Sequence, residues 1–179
     1  IAVLSGKGGT GKTLVTVNLA AVSPQSVYVD CDVEEPNGYL FFKPQNLRAK
    51  TVTVQIPSVD EQKCNGCRVC VDFCQYNALA YVAGKLMIFT EICHSCGGCT
   101  LLCKQRAITE VPKPVGEVEI GDSADTKVIT GIMKTGEVSG IPIIKELLNE
   151  ISNEQRNVFI DCPPGSACSV MESIKLADY

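Results

Sequence analysis

The run Ile1-Ala2-Val3-Leu4 opens the chain as four consecutive apolar residues, the pattern of a buried strand, and a glycine-rich stretch follows at once. Apolar positions then recur at helical spacing from about Thr13 to Val22. "SVYVD", residues 26–30, reads as a second strand, and the alternation in "TVTVQI", 51–56, as a third that stops at Pro57. "LAYVAGKLMIFT", 79–90, places two apolar runs around a glycine turn and predicts a hairpin. "VPKPVGE", 111–117, reads as a proline-marked exit, and "TKVITGIM", 126–133, as another strand. Ser139 and Pro142 suit the start of a helix through "IPIIKELLNEIS", and "NVFIDCPPG", 157–165, is a strand that ends in an acid and a turn. "SVMESIKLADY" reads as a helix delivering the chain to a further strand, so the sequence is expected to be part of a longer protein. Strands separated by helical patterns imply an α/β fold with a mostly parallel sheet.

The middle of the chain breaks that pattern. Cys64, Cys67, Cys70 and Cys74 form a C-x2-C-x2-C-x3-C comb, and Cys93, Cys96, Cys99 and Cys103 repeat it 29 positions later. The expected organisation is one α/β domain in two parts, 1–58 and 112–179, interrupted by a small cysteine-rich domain at 59–111.

Composition narrows the function. With 179 residues, 45% hydrophobic and 20% charged, the chain has an ordinary globular make-up. Its net charge of −4 argues against a nucleic-acid surface, which is usually basic. No apolar run approaches the roughly 18 residues of a membrane span, and no signal-peptide pattern precedes Ile1. Eleven cysteines without a sign of export point to metal rather than disulfides, hence to a reducing cytoplasm.

"GKGGTGKT", comprising Gly6, Lys7, Gly8, Gly9, Thr10, Gly11, Lys12 and Thr13, fits G-x4-G-K-[ST] between a strand and a helix. Such glycines let successive N–H groups turn toward phosphate oxygens, and the helix N-terminus adds positive potential. Lys12 is expected to span the β- and γ-phosphates and the Thr13 hydroxyl to ligate Mg²⁺.

The combs fit iron–sulfur ligation, because three closely spaced thiolates wrap three irons of a cubane. Zinc is the competing metal, although a third cysteine at the same short interval is superfluous for it. His94, the sole histidine, lies between ligands and is read as a neighbour. Cys31, Cys162 and Cys168 are expected to be small buried thiols.

Lys7, directly after the first glycine, resembles the signature lysine of the deviant Walker A ATPases, the MinD and ParA group. "DCDVEEPN", 30–37, resembles their switch I and "FIDCPPG", 159–165, their Walker B and switch II. Together with the paired combs, the whole chain resembles MinD-superfamily P-loop ATPases that carry an inserted bacterial-ferredoxin-like α+β domain. The resemblance implies a P-loop NTPase sheet with helices on both faces, its C-terminal strands and much of the adenine pocket missing here. It further implies ATP, Mg²⁺, an ATP-dependent homodimer that Lys7 helps complete, and hydrolysis. Asp32 would orient the attacking water, Asp30 would support the Mg²⁺ shell, Asp161 would hold Mg²⁺ through water, and the Gly165 N–H would sense the γ-phosphate. By the rule of two-cluster ferredoxins, Cys64, Cys67, Cys70 and Cys103 would hold one [4Fe–4S] cluster and Cys93, Cys96, Cys99 and Cys74 the second. The proline that ferredoxins place after the fourth cysteine is replaced here by Gln75 and Lys104. The leading expectation is ATP-gated electron transfer to an unidentified redox or iron–sulfur protein. The alternatives are an Mrp-like cluster carrier, which needs labile rather than buried ligands, and a MinD- or ParA-like positioning ATPase.

Overall fold

A computed structural model describes all residues from Ile1 to Tyr179. In chain order the elements are β1 (Ala2–Val3), α1 (Lys12–Val22), β2 (Val27–Asp30), α2 (Tyr39–Phe42), β3 (Gln45–Val59), α3 (Val69–Phe73) and β4 (Leu79–Val82). They continue as β5 (Lys85–Ile88), α4 (Gly98–Leu102), β6 (Ile108–Ser123), β7 (Thr126–Met133), α5 (Ile141–Ile151), β8 (Val158–Asp161) and α6 (Cys168–Ser173). Two compact units result: residues 1–52, 115–134 and 139–179 form one, and 53–114 with 135–138 form the other.

The first unit is built on a sheet of order β1-β8-β2-β7-β6-β3. Strands β1, β8, β2 and β7 are parallel, and β6 runs antiparallel to β7. Tyr28 is in register with Val128 and Phe159, so these side chains share one sheet face, where α1 covers them with Val17 and Ala20. Gly131, three positions on from Val128, lies on the opposite face, and there α5 sets Ile143 and Leu147 against it. Helices therefore cover both faces, which is why β2 reads as a continuous buried run.

Three stretches differ from expectation, the first being the end of β3, which runs through Pro57 to Val59. Strand β3 begins at Gln45, well before the alternating segment, because residues 45–51 are all exposed and carry no hydrophobic period to betray a strand. The segment 111–117 lies inside β6. Pro112 and Pro114 precede the part of β6 that pairs with β7, which starts at Gly116, so their missing N–H groups cost that ladder nothing.

The second unit repeats itself. Helices α3 and α4 are offset by 29 residues and pack together, with the Phe73 ring where a side chain on Gly98 would stand. The left-handed backbone recurs at the same offset: Gly66 (φ 71°) and Ser95 (53°), Arg68 (64°) and Gly97 (72°), Asn77 (53°) and Arg106 (51°). Even cross-repeat bonds are paired, Asp60 N–H to the Ala107 carbonyl at 2.7 Å and Phe89 N–H to that of Ala78 at 2.8 Å. Between the halves, β4 and β5 form the expected antiparallel hairpin, turned by Ala83 and Gly84 at φ 49° and 82°.

Candidate functional site

In the first unit, register brings three chain segments together at the carboxyl ends of parallel strands. Val3, just before the glycine loop, pairs with Asp161, and Asp161 pairs in turn with Asp30. Ligands of open α/β sheets bind at such ends.

The loop from Gly6 to Gly11 is exposed. Gly9 (φ 71°) and Gly11 (φ 89°) hold left-handed conformations that place Lys12 at the start of α1. A Cβ on Gly6, Gly8, Gly9 or Gly11 would meet nothing within 4 Å, so the inner wall of the loop is open. The Gly165 N–H donates to the Ser5 carbonyl at 3.0 Å and draws the turn after β8 onto the loop. Lys12 is only 9% exposed yet makes no ion pair within the protein. Lys7 is exposed; its carbonyl, not its ammonium, accepts from Ser5 and Thr10.

The acids are sharply distinguished. Asp30 Oδ2 accepts the N–H groups of Asn37 (3.1 Å) and Gly38 (2.9 Å), and Oδ1 accepts that of Asp32 (3.2 Å). The structure thus uses Asp30 to hold the 32–38 loop. Asp161 Oδ2 accepts the Tyr28 hydroxyl at 3.0 Å, whereas Asp161 Oδ1 is buried without a partner. Burial raises the Asp161 pKa, opposed by the Thr13, Tyr28 and Thr16 hydroxyls and by Lys12. Asp32 is half-buried; burial raises its pKa too, with Lys12 opposing and Asp161, Glu34 and Glu35 adding to the rise.

Tyr28 is the residue that pattern reading misses. It is fully buried, and its hydroxyl lies 3.4 Å from Asp30 Oδ2 as well as 3.0 Å from Asp161. Gly38 abuts it so closely that any Cβ there would overlap the ring. A lone tyrosine in a strand of valines, followed ten positions later by glycine, was the available signal. Tyr28→Phe keeps the ring and removes the bridge. Nucleotide hydrolysis is expected to fall about tenfold, on the order of one hydrogen bond to a charged group. A steady-state assay on the variant with an unchanged thermal midpoint checks it.

A pH dependence follows from Asp30, whose carboxyl burial pushes up to about 7, with Asp161 adding to the rise and the loop N–H groups opposing. Its pKa exceeds the ordinary 3.8, so folding takes up a proton in that window. The contribution is fully present below about 4 and lost as pH rises through about 7. Nucleotide-free protein should therefore resist urea better at pH ~5.5 than at ~7.5, and Asp30→Asn should shrink the difference.

The comb cysteines, all free, meet in two recesses of the second unit. Cys64, Cys67, Cys70 and Cys103 line one with Tyr81 and Leu86. Cys93, Cys96, Cys99 and Cys74 line the other with Phe73 and Tyr76. Each collects three thiols from one comb and the fourth from the other. An N–H···S bond from Ala107 reaches Cys103 at 3.2 Å. No three ligating side chains converge on one point that a single metal ion could occupy. The expectation of buried ligands holds for Cys99 but not for Cys67 and Cys96, which are exposed. His94 stacks on Tyr76 at 3.7 Å between ring centres.

Cys31 and Cys162 are fully buried, and burial raises the first thiol well above its usual range and the second to about 12. They are inert. Cys168, expected to be buried, is exposed: α6 turns Val170 and Ser173 inward instead.

Comparison with known proteins supplies the frame. A model of the CobQ/CobB/MinD/ParA nucleotide binding domain matches residues 1–165. The chain belongs to this family. The matched span includes the glycine loop, Lys12 and the two strand-end acids, Asp30 and Asp161. Two proteins of Methanocaldococcus jannaschii are similar over 99% of the chain, uncharacterized protein MJ0579 at 28% identity and uncharacterized protein MJ0578 at 30%. The chain spans 66% and 64% of their lengths. The septum site-determining protein MinD of Pyrococcus horikoshii OT3, solved with Mg-ADP, shares 16% identity over 97% of this chain and 52% of its own, with a TM-score of 0.43. No helix is long and apolar enough to cross a membrane.

Proposed function

We propose that this chain is an ATP-binding and ATP-hydrolysing iron–sulfur protein in which an ATP-driven dimer switch governs electron transfer through two [4Fe–4S] clusters. The observation that carries the iron–sulfur half is the crossed gathering of thiols. Each recess is ringed by four cysteines, three from one comb and the last from the other, as two-cluster ferredoxins require. Four thiols lining each recess match the one thiolate per iron that a cubane needs. On this reading Cys64, Cys67, Cys70 and Cys103 hold one cluster and Cys93, Cys96, Cys99 and Cys74 the other. A bound cluster would supply one-electron chemistry at low potential.

The first unit fits Mg-ATP on three grounds: an open-walled glycine loop, a sheltered unpaired lysine, and an orphaned carboxylate oxygen. Bound Mg-ATP would supply the transferable phosphoryl group. Residues Gly6 to Gly11 would offer N–H donors to the phosphates, and Lys12 would balance their charge. The Thr13 hydroxyl and Asp161 Oδ1 would serve magnesium, while Asp30 secures the loop that carries Asp32. Asp32, half-buried at that loop's start, would orient the attacking water. Gly165, tied to the loop, would report the γ-phosphate. Lys7, with its ammonium free and exposed, is available to the nucleotide of a second copy.

An anaerobic redox titration followed by EPR, with and without Mg-ATP, tests the coupling. Two clusters whose potentials shift with ATP, a shift absent in Lys12→Ala, are expected. Loaded clusters with ATP-indifferent potentials would remove direct tuning. The exposure of Cys67 and Cys96 favours a second reading, cluster delivery. Transfer of iron and sulfide to an apo-ferredoxin, faster with ATP, would select it.

A further inference from the structure

The two recesses are built by one repeated backbone, so a difference between them reports a difference in use. Arg68 lines the Cys64/Cys67/Cys70/Cys103 recess, Lys63 directly precedes its lining residue Cys64, and Lys104 and Arg106 flank its lining residue Gln105 in sequence. All four are exposed, Arg68 and Gln105 line the recess, and only Lys63 is paired, to Asp60 at 2.8 Å. The positions 29 residues away, around the other recess, are Ile92, Gly97, Gln75 and Asn77, none charged. There Gln105 gives way to Tyr76, which stacks on His94, and the Glu110 carboxylate lies 3.1 Å from where a Cβ on Gly97 would stand. One cation therefore lines this recess and three more directly adjoin its lining residues in sequence, whereas no cation lines the other recess or stands at the equivalent positions, in a chain whose net charge is −4. The nearby acids are Asp60, paired to Lys63, Glu61, paired to Lys85 at 3.2 Å, and Asp72, which makes no ion pair with Arg68.

Resting on the two-cluster reading above, we propose that the basic rim of the Cys64/Cys67/Cys70/Cys103 recess is the docking face for a small acidic electron-carrier protein. The chemistry fits that occupant. Arg68 on the recess wall beside the exposed ligand Cys67, with exposed cations next to Cys64 and Gln105, would steer an acidic protein so that its redox centre meets the recess edge. Long solvated side chains suit transient encounters, in which rim charges set the association rate and its salt dependence. The rim of the other recess, with Tyr76, His94 and the Glu110 carboxylate beside Gly97, offers an acidic protein no such steering.

The repeat supplies the test. Arg68→Gly, Lys104→Gln and Arg106→Asn place at each position the residue that this same fold accepts in its other half, so the triple variant should keep its structure. The probe is flavodoxin, a small acidic protein, titrated into the cluster-loaded full chain, with basic cytochrome c as counter-probe. Iron content and visible absorption are measured on the same samples. Binding of flavodoxin that weakens with salt, and about tenfold or more in the triple variant at unchanged iron content, is expected, with Gln75→Lys/Asn77→Arg strengthening it. Wild-type protein without iron overturns the cluster reading itself. Normal iron with flavodoxin binding that is absent, or indifferent to the triple variant and to salt, overturns the docking face. Loss in the triple variant of binding to single-stranded oligonucleotide or phosphatidylserine vesicles, with flavodoxin unaffected, would likewise overturn the assignment to an acidic protein.

Discussion

Cys67→Ala/Cys70→Ala/Cys103→Ala is expected to retain about four irons of roughly eight, in one intact cubane, whereas Cys67→Ala/Cys70→Ala/Cys74→Ala is not. The two triple variants differ by one residue, and that residue decides. The first empties only the recess that Cys103 shares with the first comb. The second spoils both, because Cys74 lines the recess of the opposite comb. Iron and sulfide analysis with EPR reads the outcome. An intact cubane in the second variant and a three-iron remnant in the first would show that each comb serves itself, and the crossed arrangement would be wrong.

Lys12→Ala is expected to cut ATP hydrolysis by about 10²–10³-fold, the usual cost of removing one preorganised charge from a reacting phosphate. Lys12 is only 9% exposed and makes no ion pair within the protein, so its removal breaks no salt bridge of the fold. The variant should keep its thermal midpoint in the absence of nucleotide and lose the rise in midpoint that Mg-ATP gives the parent, since a ligand stabilises only what it binds. Hydrolysis at parental rates, measured by phosphate release, would remove Lys12 from the reaction and with it the P-loop reading. A collapsed midpoint without nucleotide would make Lys12 structural instead.

The chain's chemistry is written locally. A glycine loop between a strand and a helix, and cysteines at intervals of two and three residues, are local constraints, because one turn of backbone must satisfy one ligand. The sequence alone therefore placed Gly6–Thr13, Asp161 at a strand end, both combs and the hairpin around Gly84. It also exposed the 29-residue repeat, since helices, left-handed residues and cross-repeat bonds all follow that period. Tertiary structure decided what depends on distant neighbours. Strand β3 starts at an exposed, unpatterned stretch, and β6 absorbs two prolines, because sheet pairing rather than side-chain period defines an edge. Only the β2–β8 register sets Asp30 beside Asp161, so only folding could divide their tasks, one oxygen pair tied to the 32–38 loop and one oxygen left free. Tyr28 bridges them because Gly38, ten residues on, leaves it room. The Cys64/Cys67/Cys70/Cys103 recess is likewise assembled only by folding, since Gln105 and Ala107 follow the second comb in sequence and line the first comb's recess in space.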